Sequence, residues 1–382
     1  MAWVIGWDLI LEMLMAGSVV SKYWGVYLNQ FFELIGWNIN TNIAIGSFNF
    51  DLAPVIIVAF FTALLVMGTK IGARVDGALT ILKIAIVVFI VVVGFFYIKA
   101  ENFTPFIPPS EPAASTDGSG VSAVMEQPLW QWATGMAPSI YGVTGIISGA
   151  ALVFFAFLGF DVVATASEET INPKKNVPLG IGVGLGLIIV LYTLVAIVTT
   201  GMVSYKDLAK QSDPSLAVAF KMVGADWAAK IISLGIVIGM ATVVMVLLLG
   251  LTRVVFAMSR DGLLPRGLSH TGKHGTPVRL QIIVGVVMAL IAACCNVGIL
   301  SDMVNIGTLS AFTLVAISIP IMRKKRPDLE RSFKIPGNPW VPILIAIANL
   351  WLMVNLSVLT WIRFVAVSYT HLRAHETGAY LV

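Results

Sequence analysis

The chain has 382 residues, 58% of them hydrophobic and 12% charged, with a mean hydropathy of +0.92. Soluble domains carry roughly 25% charged residues, so a deficit this large, in long apolar runs, excludes a soluble globular protein and points to a multi-span membrane protein. The net charge of +4 is no nucleic-acid footprint; where the charges sit carries more information than their sum.

Nine apolar segments are long enough to span, at about 3–24, 52–70, 78–98, 146–168, 179–203, 229–258, 278–297, 301–322 and 341–364, each near the ~20 residues a transmembrane helix needs. Met1 enters the first span without a basic leader, which predicts that there is no signal peptide. Lysine and arginine then set the orientation. Lys70 and Arg74 follow the second span, and Lys174 and Lys175 the fourth. Arg260, Arg266, Lys273 and Arg279 follow the sixth; Arg323, Lys324, Lys325, Arg326, Arg331 and Lys334 follow the eighth. These basic loops alternate with base-poor ones such as 25–51 and 298–300, so the first span runs from the cytoplasm outward. The 204–228 loop fits least well, since Lys206, Lys210 and Lys221 share it with Asp207, Asp213 and Asp226. The longest stretch outside the spans, 99–145, is expected on the outer side. It is rich in Pro, Ser and Gly and ends in MEQPLWQW, a short interfacial helix with tryptophans at headgroup level. No soluble domain is expected. Cys294 and Cys295 are adjacent and read as packing residues. Val367–Thr377, VSYTHLRAHET, matches a translated transposon-type sequencing adapter in one reading frame; 367–382 is set apart as a non-native tail, the alternative being a genuine polar tail.

Ionisable groups inside spans are the default functional candidates, because burying them in lipid is costly. In FFAFLGFD, Gly159 permits unwinding and Asp161 can cap a second half-helix. The alternative is a kinked helix with a capping acid and no ligand. Phe154, Phe155, Phe157 and Phe160 are either packing or the wall of a small-molecule site. Lys83 either snorkels to the near membrane face or stands in the core as a fixed or protonatable cation. Asp8 and Glu12 lie four apart, on one helix face that should look into protein or a wet cavity; a structural pair is the other reading. Arg253 and the Arg260–Gly262 turn close the sixth span, as a helix end or a gate. His270 and His274 make no metal site. The glycine-rich run Gly180–Leu187 reads as close helix packing.

Several strings together resemble a known family. FFAFLGFDVVATASEETINPKKNVPLGI, LTRVVFAMSRDGLLP, WDLILE and FKIPGNPWVPIL are similar to the bacterial branch of the cationic amino acid transporter family, in the amino acid–polyamine–organocation superfamily, over residues 3 to 364. The resemblance implies an all-α, polytopic LeuT-type fold of two inverted five-helix repeats with broken helices at the substrate site. It implies that residues 1–366 form a partial permease domain covering family helices three to eleven, without helices one, two and twelve, and that the fragment itself is inactive. Backbone carbonyls of Phe155, Ala156 and Leu158 would receive a substrate ammonium, Phe160 would cover it, Glu12 would face the central cavity, and Lys83 would take the sodium position of related carriers. The implied function is secondary active, proton-coupled amino acid transport across the plasma (inner) membrane by alternating access. The expected partners are a cationic or neutral amino acid, a proton and the bilayer, with no cofactor, no metal and no nucleic acid. The implied protein is no enzyme. The alternative is a membrane amino acid sensor, which would need a signalling domain or docking tail.

Overall fold

The computed structural model describes residues 2–37, 41–45, 48–67, 72–113, 123–160, 162–165, 170–211, 214–271, 276–328 and 334–379. In chain order its helices are α1 (Ala2–Leu34), α2 (Leu52–Met67), α3 (Gly72–Phe95), α4 (Ala123–Glu126), α5 (Leu129–Ala133), α6 (Gly142–Val153), α7 (Val162–Thr165), α8 (Pro173–Met202), α9 (Tyr205–Ala209), α10 (Leu216–Met222), α11 (Asp226–Arg260), α12 (Val278–Cys294), α13 (Val297–Lys325), α14 (Trp340–Val354) and α15 (Val358–Ala379). Two small antiparallel pairs accompany them: β1 (Asn42–Ile45) with β2 (Phe48–Asp51), Asn42 facing Asp51, and β3 (Glu111–Pro112) with β4 (Ser139–Ile140). Helices dominate because hydrocarbon offers the backbone no partners, so each segment must satisfy its own N–H and C=O groups. By length and hydropathy α1, α3, α8, α11 and α13 can cross a bilayer, and α2, α6, α12 and α14 are apolar but shorter.

The segment expected as one span at 341–364 is two helices. α14 ends at Val354, Asn355 folds its side-chain amide back onto the Trp351 carbonyl at 2.7 Å, and Ser357 caps α15 by accepting the Thr360 N–H at 3.2 Å. Hydropathy misses this break because Asn355 and Ser357 are isolated polar residues in an apolar run; the capping pattern is the signal. α15 then continues through 367–379, part of the stretch set apart from the sequence.

The chain divides into two compact units. One holds Met1–Met15, Ile107–Pro178 and Gly298–Val382; the other holds Ala16–Phe106 and Leu179–Val297. In the second, α11 is the central rod. Ile232, Val244, Leu248 and Leu251 on it are buried, and α2, α3, α10 and α12 pack around it. Glycines set the closest approaches: Gly235 of α11 lies against Ile86 of α3, Gly94 of α3 against Val198 of α8, and Gly285 of α12 against Thr62 of α2. These are the contacts small residues permit between helices in lipid. The run Gly180–Leu187 does not behave this way. Space is open within 4 Å of where a Cβ would stand at Gly180, Gly182, Gly184 and Gly186. Gly180 and Gly184, and likewise Gly182 and Gly186, are four apart and share a helix face, yet neither pair has an atom within 4 Å of where a Cβ would stand.

In the first unit Ala151 of α6, Ile306 and Leu309 of α13, Met353 of α14 and Leu356 of the following turn form a core, against which Trp361 and Phe364 of α15 pack. The α4–α5 segment clasps the α14–α15 turn: Trp130 Nε1 donates to Asn355 Oδ1 at 2.8 Å, the Leu129 N–H to the Leu356 carbonyl, and the Val358 N–H to the Gln127 carbonyl. In the second unit Ser215 donates to Gln30 at 2.9 Å and Lys221 pairs with Glu33 at 3.5 Å. Both joined segments there fall in loops the charge pattern puts outside. Lys210 pairs with Asp207 at 3.0 Å, so two of the three lysines that fitted poorly in 204–228 stand next to an acid.

Two outcomes follow from this packing. Gly285→Ala forces a Cβ into the β-branched Thr62 and is expected to lower stability by about 1–3 kcal/mol, whereas Gly182→Ala meets open space and should leave the melting temperature in detergent unchanged or slightly raised. Asp51 caps α2 by accepting the Ala53 N–H at 3.3 Å, and half-burial pushes its carboxyl above the ordinary 3.8, against the pull of that bond, Lys22 and Thr41. A raised folded pKa means stability that is present below 3.8 and lost as pH rises through the raised value. Asp51→Asn keeps the acceptor without the charge, so its melting temperature should exceed the wild type's at pH 7 and the gap should close as the buffer is acidified.

Candidate functional site

The helix beginning at Gly142 does not run through. After Val153 the chain tightens into a 3₁₀ turn over Phe154–Phe157, Leu158 is extended (φ −63°, ψ 149°), and Gly159 takes φ +106°. α7 restarts at Val162. Regular bonding gives way to three-residue bridges, Leu158 N–H to the Phe155 carbonyl and Val162 N–H to the Gly159 carbonyl, both 3.2 Å. Gly159 supplies a backbone angle that side-chain-bearing residues rarely adopt. Asp161, with Glu168 and Glu169, lies outside the described residues.

The loose end of α6 is held by α13. Asn305, fully buried, donates Nδ2 to the Leu152 carbonyl at 3.1 Å. Phe154 and Phe160 both rest on Phe312, with ring centroids 6.2 and 5.3 Å away. Phe155 and Leu158 are half-buried and Ala156 is exposed. The break is thus a short non-helical stretch flanked by an aromatic wall, in which carbonyls can turn away from a helix axis. Such a stretch suits a small cation or an ammonium group, because it presents several partial negative charges at fixed positions.

Glu12 is buried and lines, with Asp8, Trp3 and Trp7, a cavity of about 120 Å³ closed by Met303 and Gly307 of α13 and Phe364 of α15. A cavity of this size can hold several water molecules, in keeping with the expectation that acids inside a span face protein or a wet space. Trp3 and Trp7 meet edge to face at 5.8 Å. At 100° per residue Met303 and Gly307 fall on one face of α13, and Asn305, Leu309 and Phe312 on the opposite one. Glu12 and Phe160 are therefore carried on opposite sides of a single helix rather than converging on one.

Lys83 belongs to the other compact unit, on α3, half-buried, its stem lying along Gly239 of α11. Arg253 and Arg260 sit in the last turns of α11, and the following Gly262 takes φ +79° in the expected tight turn. His274 lies outside the described residues, among which no group of three histidines, cysteines or acids is placed to hold a metal. The sequence reading missed Asn305 and Phe312. A lone Asn within an apolar run is the signal that could have found the first; nothing marks the second apart from other phenylalanines.

The sequence profile of the amino acid permease family matches residues 1–367. The chain is 39% identical over 374 residues to the branched-chain amino acid permease BcaP of Bacillus subtilis (strain 168), covering 95% of this chain and 73% of that protein. It is 39% identical over 373 residues to the methylthioribose transporter of the same organism, covering 96% and 73%. It is 34% identical over 336 residues to the mitochondrial cationic amino acid transporter 3 of Arabidopsis thaliana, covering 86% and 50%.

Since space within 4 Å of a Cβ at Gly159 is open, Gly159→Ala tests the backbone alone. It is expected to cost about 1–3 kcal/mol, read as a lower melting temperature in detergent, while Gly149→Ala, in the regular part of α6 with equal space, should not.

Proposed function

The chain belongs to the amino acid permease family, and on that premise we propose that the protein carries an amino acid with an apolar side chain across the cell membrane together with a proton, by alternating access. The family supplies the transport of amino acids across a membrane. The observation that carries the finer reading is the break at Phe154–Gly159 with its aromatic wall. Carbonyls of Phe155, Ala156 and Leu158 are the groups assigned to the substrate ammonium, with Phe160 as cover, and the rings of Phe154, Phe160 and Phe312 favour an apolar side chain close by. Asp161 is assigned to capping the lower half-helix. In the inverted-repeat arrangement typical of such carriers, a bundle holding the broken helix would rock against the remaining helices.

Lys83 is assigned to proton coupling. A lysine in a span changes charge when it exchanges a proton, and in a low-dielectric site that change biases two conformations strongly. One observation favours a second reading. A relative is named as a cationic amino acid transporter, and buried Glu12, across α13 from the break, is the acid that would draw a cationic substrate to its own cavity instead. A relative named as a methylthioribose transporter, as similar as the branched-chain permease, makes the substrate an experimental question.

The product of the complete gene in proteoliposomes should accumulate radiolabelled leucine when the outside is acid. Excess unlabelled leucine, isoleucine or valine should compete and lysine should not; competition by lysine selects the second reading, and by methylthioribose alone neither. Lys83→Ala is expected to remove the response to the proton gradient, at least tenfold in initial rate. Undiminished proton-driven uptake in that variant would take Lys83 out of the mechanism.

A further inference from the structure

We propose that Gly239 is a positioning residue for Lys83, holding the lysine stem flat on α11 by having no side chain of its own. This rests on Lys83 being the proton-coupling group. A Cβ built at Gly239 would stand 3.4 Å from Lys83 Cγ and 3.9 Å from both Cδ and Cε. Three successive atoms at near-equal distance mean that the stem runs along the surface of α11 rather than away from it. Gly235, one turn earlier, lets α3 come close enough for its own Cβ position to be filled by Ile86. The two glycines form a G-x-x-x-G pair, Gly235–Gly239, facing two residues of α3 three apart, Ile86 and Lys83. The first brings the helices together; the second leaves a channel one methylene chain wide.

The Gly239 carbonyl is taken up by its own helix, since buried Thr242 donates its hydroxyl to it at 2.8 Å. The contribution of Gly239 is therefore shape, not an acceptor. α11 carries no charged residue between Lys230 and Arg253. The titratable and charged groups on the elements that share a core with α3 are Asp226, Lys230, Arg253 and Arg260 of α11, Lys221 of α10, Tyr192 of α8 with Lys174 and Lys175 in its first turn, Tyr205, Lys206 and Asp207 of α9, and Lys22, Tyr23, Tyr27 and Glu33 of α1 within the second unit. At 1.5 Å per residue Lys230 and Arg253 lie roughly 13 and 21 Å along α11 from Gly239. A bulky side chain added at 239 would push the stem off α11 and so change the burial of the ammonium, to which a lysine in a span is sensitive.

The geometry sets a size threshold. Ala at 239 places its methyl in ordinary contact with the stem, whereas Leu fills the channel. The experiment is leucine uptake into proteoliposomes as a function of outside pH, with each variant's melting temperature and leucine affinity measured alongside. Gly239→Ala should keep the wild-type pH midpoint, while Gly239→Leu should shift it by half a unit or more, or abolish proton dependence, at unchanged leucine affinity. Gly235→Ala is the packing control, expected to lower the melting temperature without moving the midpoint. If Gly239→Leu does not fold, Gly239→Ser and Gly239→Val repeat the size series. A folded Leu or Val variant with the wild-type pH profile overturns the proposal, as does a rate loss with no pH shift. If Lys83→Ala itself retains proton-driven uptake, the coupling role of Lys83 fails first. If Lys83→Ala loses it and the Gly239 series stays flat, only the positioning role fails.

Discussion

Backbone hydrogen bonding is the constraint on which the rest of this molecule depends. In hydrocarbon each unpaired N–H or C=O costs several kcal/mol, so a span is free to stop being a helix only where something else satisfies it. Phe154–Gly159 is such a place. The bridge from Leu158 to Phe155, the bridge from Val162 to Gly159 and the Asn305 amide on the Leu152 carbonyl account for groups the helix releases. Each fixes a neighbour in turn. α13 must bring Asn305 to the end of α6, which places Phe312 under Phe154 and Phe160, and leaves the other side of the same helix, Met303 and Gly307, to close the cavity around Glu12.

Much of this was legible from composition and spacing. Apolar runs located the helices α2, α3, α8, α11, α12 and α13 nearly as they stand and α1 ten residues short, and a glycine followed by an acid marked the break in 146–168, because few residue pairs are so ill-suited to an apolar helix. The missed break at Asn355–Ser357 shows the limit of that signal. It is made by two capping side chains that barely lower the local hydropathy, so only a search for caps would find it. That Glu12 and the broken helix do not converge was not readable at all. Which face of α13 each meets is a tertiary fact, and in the structure the two faces are opposite.

Glycine gives the sharpest contrast between pattern and packing. The conspicuous run at 180–186 meets open space, while the isolated glycines at 94, 235 and 285 hold the tightest helix contacts of the second unit. The run contains spacings of four as well, at 180/184 and 182/186, so spacing alone does not tell which glycines meet a neighbour. The Gly235–Gly239 pair has the same spacing, does meet a neighbouring helix, and went unremarked among the larger residues around it.

The glycine run of α8 has an energetic consequence. Four glycines within seven residues of α8 forgo roughly 3–4 kcal/mol of helical propensity relative to alanine, with no close contact given in exchange. Pro178, just before them, also lacks an N–H for the helix. The chain passes from one compact unit to the other between Pro178 and Leu179. The crossing therefore falls where the sequence of α8 has the least intrinsic preference for the helix it forms.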